Sequence, residues 1–453
     1  MNKVRSQKPR IRVILLLTFV ILSFVFTANA QTGGQPAANS QADLISDFDV
    51  NGLKVIVKRR PGAPSVSAGL FVRGGARNLT PTTAGIENLM LSIATEASQK
   101  FPRAVMRKEL TRMASGLGAG SNEDFSVVSL NSTRPNFDRT WEIFTDAVMN
   151  PSFTPEDFEL VRNRILTGLR NASVSPDSAL EVLQDRVIYA NHPYSNDPNG
   201  TPETIGSFKL EDIRAYHKKV MQTSQLLLVV VGDVDPQVLQ KRVAESLGKL
   251  PRGDYKEQPL PSLAFDKPSL DVTNRDVETN YIKGIFAAPS LSNPDYYAMR
   301  VAMTLLQSRV YNEVRIKRQL SYAPDASMED DAANTANIYV TTNDANQSVT
   351  IMLKEIEDLQ KTPVEAEVFT NLPGYFLTTY FIKQETNASQ VAELARYELI
   401  GGGWRNALKF FDKIREVRPQ DVQAVSQKYM KNIRFVVISP TGSTINRQIF
   451  LPN

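Results

Sequence analysis

The sequence predicts an α+β protein of two tandem homologous domains, each a largely antiparallel sheet with helices packed on one face. Three observations carry this reading. Short β-branched runs closed by Gly or Pro alternate with stretches of helical apolar spacing. The same order of strands and helices returns after a Pro-rich break. The two halves also close on matching segments: "LEDIRAYHKKVMQTSQLLLVVVGD" and "PQDVQAVSQKYMKNIRFVVISP" share helix, Tyr, Met, short link and strand at matching steps. A duplicated α+β unit accounts for all three.

Residues 1–30 have the form of a secretory leader. Lys3, Arg5, Lys8, Arg10 and Arg12 precede an apolar run from Val13 to Phe26, and Ala28 and Ala30 provide small residues before Gln31. An uncleaved anchor is the other reading, but a membrane span takes about 20 apolar residues. The expectation is therefore export to the periplasm or cell envelope, or secretion, with no stable membrane span after cleavage. Without the leader, 47 Lys and Arg stand against 48 Asp and Glu. The mature chain is near neutral, and no basic block suggests nucleic acid. The absence of cysteine removes disulfides, thiolate metal sites and cysteine nucleophiles together. A chain of this length can bury a large core without staples.

The polar residues 31–43 read as a flexible lead-in to a first domain over 44–251. "GLKVIVKRR" (52–60), "SVSAGLFVRGG" (65–75) and "DFSVVSLNST" (124–133) are expected strands. The stretch after the second begins a helix, with Ile86, Leu89, Met90 and Ile93 on one stripe. Glu87 and Glu96 then fall on its solvated face. "FDRTWEIFTDAVMN" and "TPEDFELVRNRILTGLRNA" are amphipathic helices. Thr154 and Asp157 form a capping-box-like start to the latter, with Pro155 in the first turn. "SQLLLVVVGDVDPQVLQKRVAESLG" reads as buried strand, turn and helix. Residues 252–269 are a Pro-rich polar linker, and 270–453 repeat the pattern. That second domain has strands at 270–276, 280–289 and 336–343, a long helix over 293–317 and a closing strand at 433–440.

The helix opened by Gly85 carries a resemblance. With tandem α+β halves of this size, a Gly-rich strand end, "AGI" and the segments "HPYSNDPNGTPETI" and "YHKKVMQTSQLLLVVVGDVD", the whole mature chain resembles the pitrilysin/insulinase-like zinc peptidases. These are the inverzincins, whose signature is H-x-x-E-H. The nearest subgroup in size includes the mitochondrial processing peptidase and bacterial paired peptidases. The resemblance implies a helix reading G-[LI]-x-H-x-x-E-H and a glutamate ligand about eighty residues on. Here Asn88 and Ser92 stand at the histidine positions, Leu91 at the general base and Gly168 at the third ligand. Catalytic zinc takes imidazole, thiolate or carboxylate from three side chains. Without it there is no water with a pKa near 7 and nothing for Leu91 to deprotonate. No catalytic residue and no metal site are expected in this chain. His192 and His217, its two histidines, read as structural or surface residues.

"RVYNEVRIKRQLSYAPDAS" resembles the family segment L-R-E-x-x-G-L-A-Y, placing Arg315 and Tyr322 at its Arg and Tyr. In the family this pair hydrogen-bonds substrate backbone and helps stabilise the oxyanion. The competing reading is a helix-end Arg in a surface ion pair and a core Tyr. Ile316, Gln319 and Ser321 depart from the family's Glu, Gly and Ala, and Gln319 sits where Gly normally relaxes a turn. "ASGLGAGSNEDFSV" (114–127) resembles the segment leading into a sheet-edge strand. It reads either as an edge for an extended peptide or as a loop that needs flexibility. "LIGGGW" (399–404) is an analogous Gly run.

In paired enzymes of this family one chain carries H-x-x-E-H and its partner supplies the Arg/Tyr pair. The implied function is a non-catalytic subunit of an exported heterodimeric zinc metallopeptidase, with zinc in the H-x-x-E-H partner and an extended peptide as substrate. The alternative is an inactive peptidase-fold protein with a structural or peptide- or protein-binding role. No Ser/His/Asp, Cys/His or Walker-like constellation supports an independent enzyme.

Overall fold

The apolar run "LLLVVVG" (226–232) shows how the molecule is built. It is a central strand with every residue buried. Leu226, Leu228 and Val230 point into one apolar core, and Leu227, Val229 and Val231 into another. A strand covered on both faces reads as a continuous apolar run rather than an alternating one.

The computed structural model describes residues 42–442 and 444–451. The expected leader (1–30) and residues 31–41 lie outside them. The first half runs β1 (Ile45–Val50), β2 (Leu53–Arg59), β3 (Ser65–Arg73), α1 (Ile86–Ala94), α2 (Arg103–Arg112), β4 (Gly116–Ser121), β5 (Phe125–Thr133), α3 (Phe137–Met149), α4 (Pro155–Val174), α5 (Pro176–Ile188), α6 (Pro202–Ser207), α7 (Leu210–Val220), β6 (Leu226–Gly232) and α8 (Pro236–Glu245). The second runs β7 (Ser269–Arg275), β8 (Asn280–Ala287), α9 (Tyr296–Val310), a π-helix (Tyr311–Lys317), β9 (Asp325–Met328), β10 (Thr335–Thr342), α10 (Ala345–Lys361), α11 (Ala366–Lys383), α12 (Asn387–Ile400), α13 (Phe410–Glu416), α14 (Pro419–Tyr429), β11 (Arg434–Pro440) and α15 (Arg447–Phe450).

The first sheet has the order β1-β2-β6-β3-β5-β4 and the second β7-β11-β8-β10-β9. Without β1 the orders match strand for strand. Each sheet has one parallel pair, β2–β6 and β7–β11, among antiparallel ones. The two halves are copies of one unit, so α9 is the counterpart of α1 and α11 the counterpart of α4.

Each sheet carries its own helices on one face. The opposite face is covered by the other half. Val391, Leu394 and Ala395 of α12, with Trp404, pack on the first sheet beside Ile56, Phe71 and Val229. Reciprocally, Leu180 and Leu183 of α5 pack on the second sheet beside Ile285, Val436 and Ile438. Fully burying one such side chain stabilises by about 1.5–3 kcal/mol, so this exchange ties the halves together. The Gly run at 401–403 serves it. Gly402 and Gly403 adopt positive φ after α12, and the turn delivers Trp404 to the first sheet.

The link between the halves is a pinned strap. Its residues 251–265 have no regular secondary structure. Ser224 Oγ accepts from the Tyr255 backbone N–H at 3.1 Å, and His192 Nε2 lies 3.0 Å from the Pro261 carbonyl. Leu260, Leu263 and Phe265 join the cluster under the second sheet. At α4, Thr154 Oγ1 accepts from the Asp157 N–H at 3.1 Å, with Pro155 in the first turn. One expectation changes: the helix over 293–317 divides into α9 and a π-turn. Of the two readings of the Gly-rich 114–127 segment, the edge holds, since it contains the edge strand β4.

Candidate functional site

Helix α1 carries Asn88, Leu91 and Ser92 where the family resemblance implies two ligands and a general base, and none of the three is a metal-ligating side chain. Gly85 opens α1 with φ +84, and a Cβ there would lie 2.6 Å from Gly200 Cα. This close approach brings the "DPNG" turn against the helix start, where Asn88 Nδ2 donates to Asn199 Oδ1 at 3.3 Å. Asn88 and Ser92 are half-buried one turn apart. Leu91 belongs to the apolar core, so its position faces no water. Further along, Arg164 of α4 pairs with Glu96 at 2.7 Å, and one turn beyond it Gly168 faces open space.

A neutral amide, a hydroxyl and a bare backbone do not make a zinc site. Among the described residues no group of three or more His, Cys, Asp or Glu is placed to hold a metal ion. The two histidines are structural. His217 Nε2 donates to the Val148 carbonyl at 2.8 Å, while His192 Nδ1 accepts from the Tyr194 N–H at 3.2 Å.

Glu87 and Glu96 do not lie on a solvated face. Glu87 is 2% exposed, and its Oε2 accepts from Tyr216 Oη of α7 at 2.9 Å. Burial pushes its carboxyl up to about 7, with Ser126, Tyr216 and Lys219 pulling the other way. Glu96 is gripped by Arg107 at 2.9 Å and Arg164 at 2.7 Å. The reason is packing on both sides of α1. Only Asn88 and Ser92 of its nine residues escape burial. A helix packed on both sides is buried all round, Glu87 included.

In the second half the structure brings Arg315 and Tyr322 together. The Arg315 guanidinium lies 4.1 Å from the Tyr322 ring centroid and 5.1 Å from that of Tyr311. The π-turn shapes this arrangement. Val314 anchors it in the core, Gln319 N–H donates to the Arg315 carbonyl at 3.2 Å, and Leu320 N–H to the Val314 carbonyl at 2.9 Å. Gln319 takes φ +54, a left-handed conformation that suits glycine. Glu313 takes up the neighbouring cations Lys317 and Arg318. Among the described residues Arg315 has no carboxylate partner, and Tyr322 is 79% exposed. The pair is therefore neither a surface ion pair nor a core tyrosine. Tyr311 was missed in the sequence, although its spacing four residues before Arg315 is that of helical neighbours.

Tyr322 lies just ahead of β9, the edge of the second sheet, and β4 is the corresponding edge of the first. Edge strands leave a row of backbone donors and acceptors available for an added strand. A cation and a phenol donor beside such an edge can bind a peptide carbonyl and stabilise negative charge developing on it.

Comparison with known proteins bears on the family and the fold. The sequence profile described as "Insulinase (Peptidase family M16)" matches residues 54–199, and that described as "Peptidase M16 inactive domain" matches residues 207–372. The chain is 22% identical to an uncharacterized zinc protease of Mycobacterium leprae, over 88% of this chain and 92% of that one. It is 23% identical to the non-peptidase homolog YmxG of Helicobacter pylori, over 80% and 86%. Among solved structures, a protease from Helicobacter pylori superposes with a TM-score of 0.80 at 18% identity, covering 87% of this chain and 99% of that one. The periplasmic protease PqqL from Escherichia coli gives 0.75 at 14%, covering 90% and 49%.

Proposed function

The chain belongs to the insulinase-like peptidase family M16, and from that premise we propose that it is a non-catalytic subunit of an exported heterodimeric zinc peptidase. Its partner is an H-x-x-E-H chain that holds the zinc and activates the water. This chain contributes Arg315 and Tyr322, which hydrogen-bond the extended peptide substrate and stabilise the oxyanion formed in the partner's site. The observation that carries the reading is the Arg315–Tyr322 stack, with Tyr322 exposed and Arg315 half-buried and without a carboxylate partner among the described residues, in a chain that has Asn88, Ser92 and Gly168 where the resemblance implies zinc ligands. Helicobacter pylori has both a relative named zinc protease PqqE and one named non-peptidase homolog YmxG, which suits a division of labour. The leader and the periplasmic PqqL neighbour support an envelope or periplasmic location. Among the described residues no helix is long and apolar enough to cross a membrane.

The name of the YmxG relative favours a second reading, an inactive peptidase fold with a structural or binding role. Peptide hydrolysis separates the two. The mature chain, an H-x-x-E-H candidate and their mixture with zinc are assayed in parallel. Activity that appears only in the mixture supports the subunit reading. Full activity of the candidate alone, unchanged on mixing, assigns this chain to the structural or binding class.

A further inference from the structure

The second half contains a cavity of about 490 Å³ between α9, α11 and α12. That is within the range of small-molecule sites. The helices α9 and α11 that line it are the counterparts of α1 and α4. Its wall is aromatic, with Tyr375, Phe376, Tyr380 and Phe410 lining it and Tyr380 and Phe410 stacked at 5.8 Å. Its other side is charged. Asp330 is shared between Arg300 and Arg396, the latter at 2.8 Å, and Lys383 stands near the mouth.

Helix α11 is unusual in the same direction. Among its 18 residues only Glu367 and Lys383 are charged. Tyr375 is half-exposed on it, and Pro373 and Gly374 interrupt its interior. Proline inside a helix costs about 3 kcal/mol, so packing rather than propensity holds this helix. A charged outer face such as that of α4 would be the ordinary solution.

Charge decides what fits. Three cations, Arg300, Arg396 and Lys383, face the cavity against the carboxylate of Asp330 and that of Glu393. Burial raises the Glu393 carboxyl to about 7, which weakens its share of the negative charge. An aromatic wall alone suits a cation as well as an apolar body. The surplus of basic groups disfavours a cation and favours an anion. We propose that this pocket binds an amphipathic carboxylate, its apolar body against Tyr375, Tyr380 and Phe410 and its carboxylate on Arg396 and Lys383. The C-terminal residue of an apolar-ended peptide and a free aliphatic acid share that chemistry.

The test is calorimetric titration of the full mature chain with N-acetylphenylalanine, its amide and decanoate. At least one acid binds, and the amide binds at least about tenfold more weakly than its acid, the factor one charge-assisted contact supplies. Stronger binding of the first acid assigns a peptide end, and of decanoate an aliphatic acid. Lys383→Gln and Arg396→Gln each weaken the acid about tenfold. Ala392→Trp, introduced at an exposed lining position, abolishes binding while the melting temperature holds. Failure of both acids to bind, equal binding of acid and amide, or undiminished binding to folded Ala392→Trp overturns the proposal.

Discussion

The two halves share one strand order, yet their matching helices have opposite chemistry. Helix α4 carries Glu156, Asp157, Glu159, Arg162, Arg164 and Arg170, whereas α11 carries two charges and a line of aromatics. Helix α1 is sealed in the core, with Asn88 and Ser92 as its two half-buried polar residues. Helix α9 instead runs into a π-turn that holds an arginine between two tyrosine rings. The difference teaches that the scaffold is maintained by its sheets and by the exchange of α5 and α12. The chemistry lies in a few positions that vary without disturbing either.

The sharpest way to break the comparison is to restore the first half. The triple variant Asn88→His, Ser92→His, Gly168→Glu supplies two imidazoles and a carboxylate on an intact frame. Titration should show zinc bound at micromolar affinity or better, about 8 kcal/mol, against no stoichiometric binding by the parent chain. Failure of the folded variant to bind would mean that the frame itself has drifted.

The exchange comes next. Leu394→Ala and Leu183→Ala remove equivalent buried contacts from the two reciprocal interfaces. Each is expected to cost about 2–5 kcal/mol and to lower one shared unfolding transition in a denaturant melt. Two separated transitions would show that the halves fold independently.

Acidity is a third lever. Several carboxyls are raised by burial: Glu87 and Glu123 to about 7, Asp185 to about 6 and Asp331 to about 8. Asp124 accepts from Tyr194 Oη at 2.6 Å and from the Ala332 N–H at 3.0 Å, so part of this acidic group bridges the halves. A carboxyl whose folded pKa is raised favours folding in its protonated state. That stability is fully present below the unfolded values, 4.5 for the glutamates and 3.8 for the aspartates, and is lost as pH rises through about 6 to 8. Urea melts at pH 5 and pH 8 should show the decline, and Glu87→Gln should remove on the order of 2–3 kcal/mol of it. An unchanged pH dependence in Glu87→Gln would contradict the assignment.

The smallest effect concerns Gln319, whose left-handed backbone is strained for a residue with a Cβ. Gln319→Gly should raise stability by about 0.5–1 kcal/mol, measured as a shift of the denaturation midpoint. A loss of stability would show that the Gln side chain stabilises the π-turn by more than its backbone costs.

The duplication was readable because "LLLVVVGD" and "IRFVVISP" close the halves as central strands. The continuous apolar run at 226–232 marked a buried strand, and helices were expected on one face of each sheet. Neither said that the cover of the opposite face comes from the other half, because Val391 and Leu183 lie far along the chain from the strands they meet. Glu87 was misread because an apolar stripe at 86, 89, 90 and 93 resembles the inner face of a surface helix. Only the packing of Tyr216 against it reveals a second buried side. The spacing of Arg315 and Tyr322 was visible, whereas their stacking depends on a π-turn that has no clear sequence signal. The pocket was not legible at all, since Arg300, Asp330 and Arg396 meet only through the fold.

The central claim is that Arg315 and Tyr322 act on a substrate in the partner's site. The most direct test is kcat/KM of the zinc-loaded mixture with this chain as Arg315→Ala and as Tyr322→Phe, with complex formation followed by size exclusion. The account predicts an unchanged complex and a fall of about 10²–10³-fold for Arg315→Ala, as for loss of an oxyanion donor, with a smaller fall for Tyr322→Phe. Full activity with both substitutions in an intact complex would contradict it.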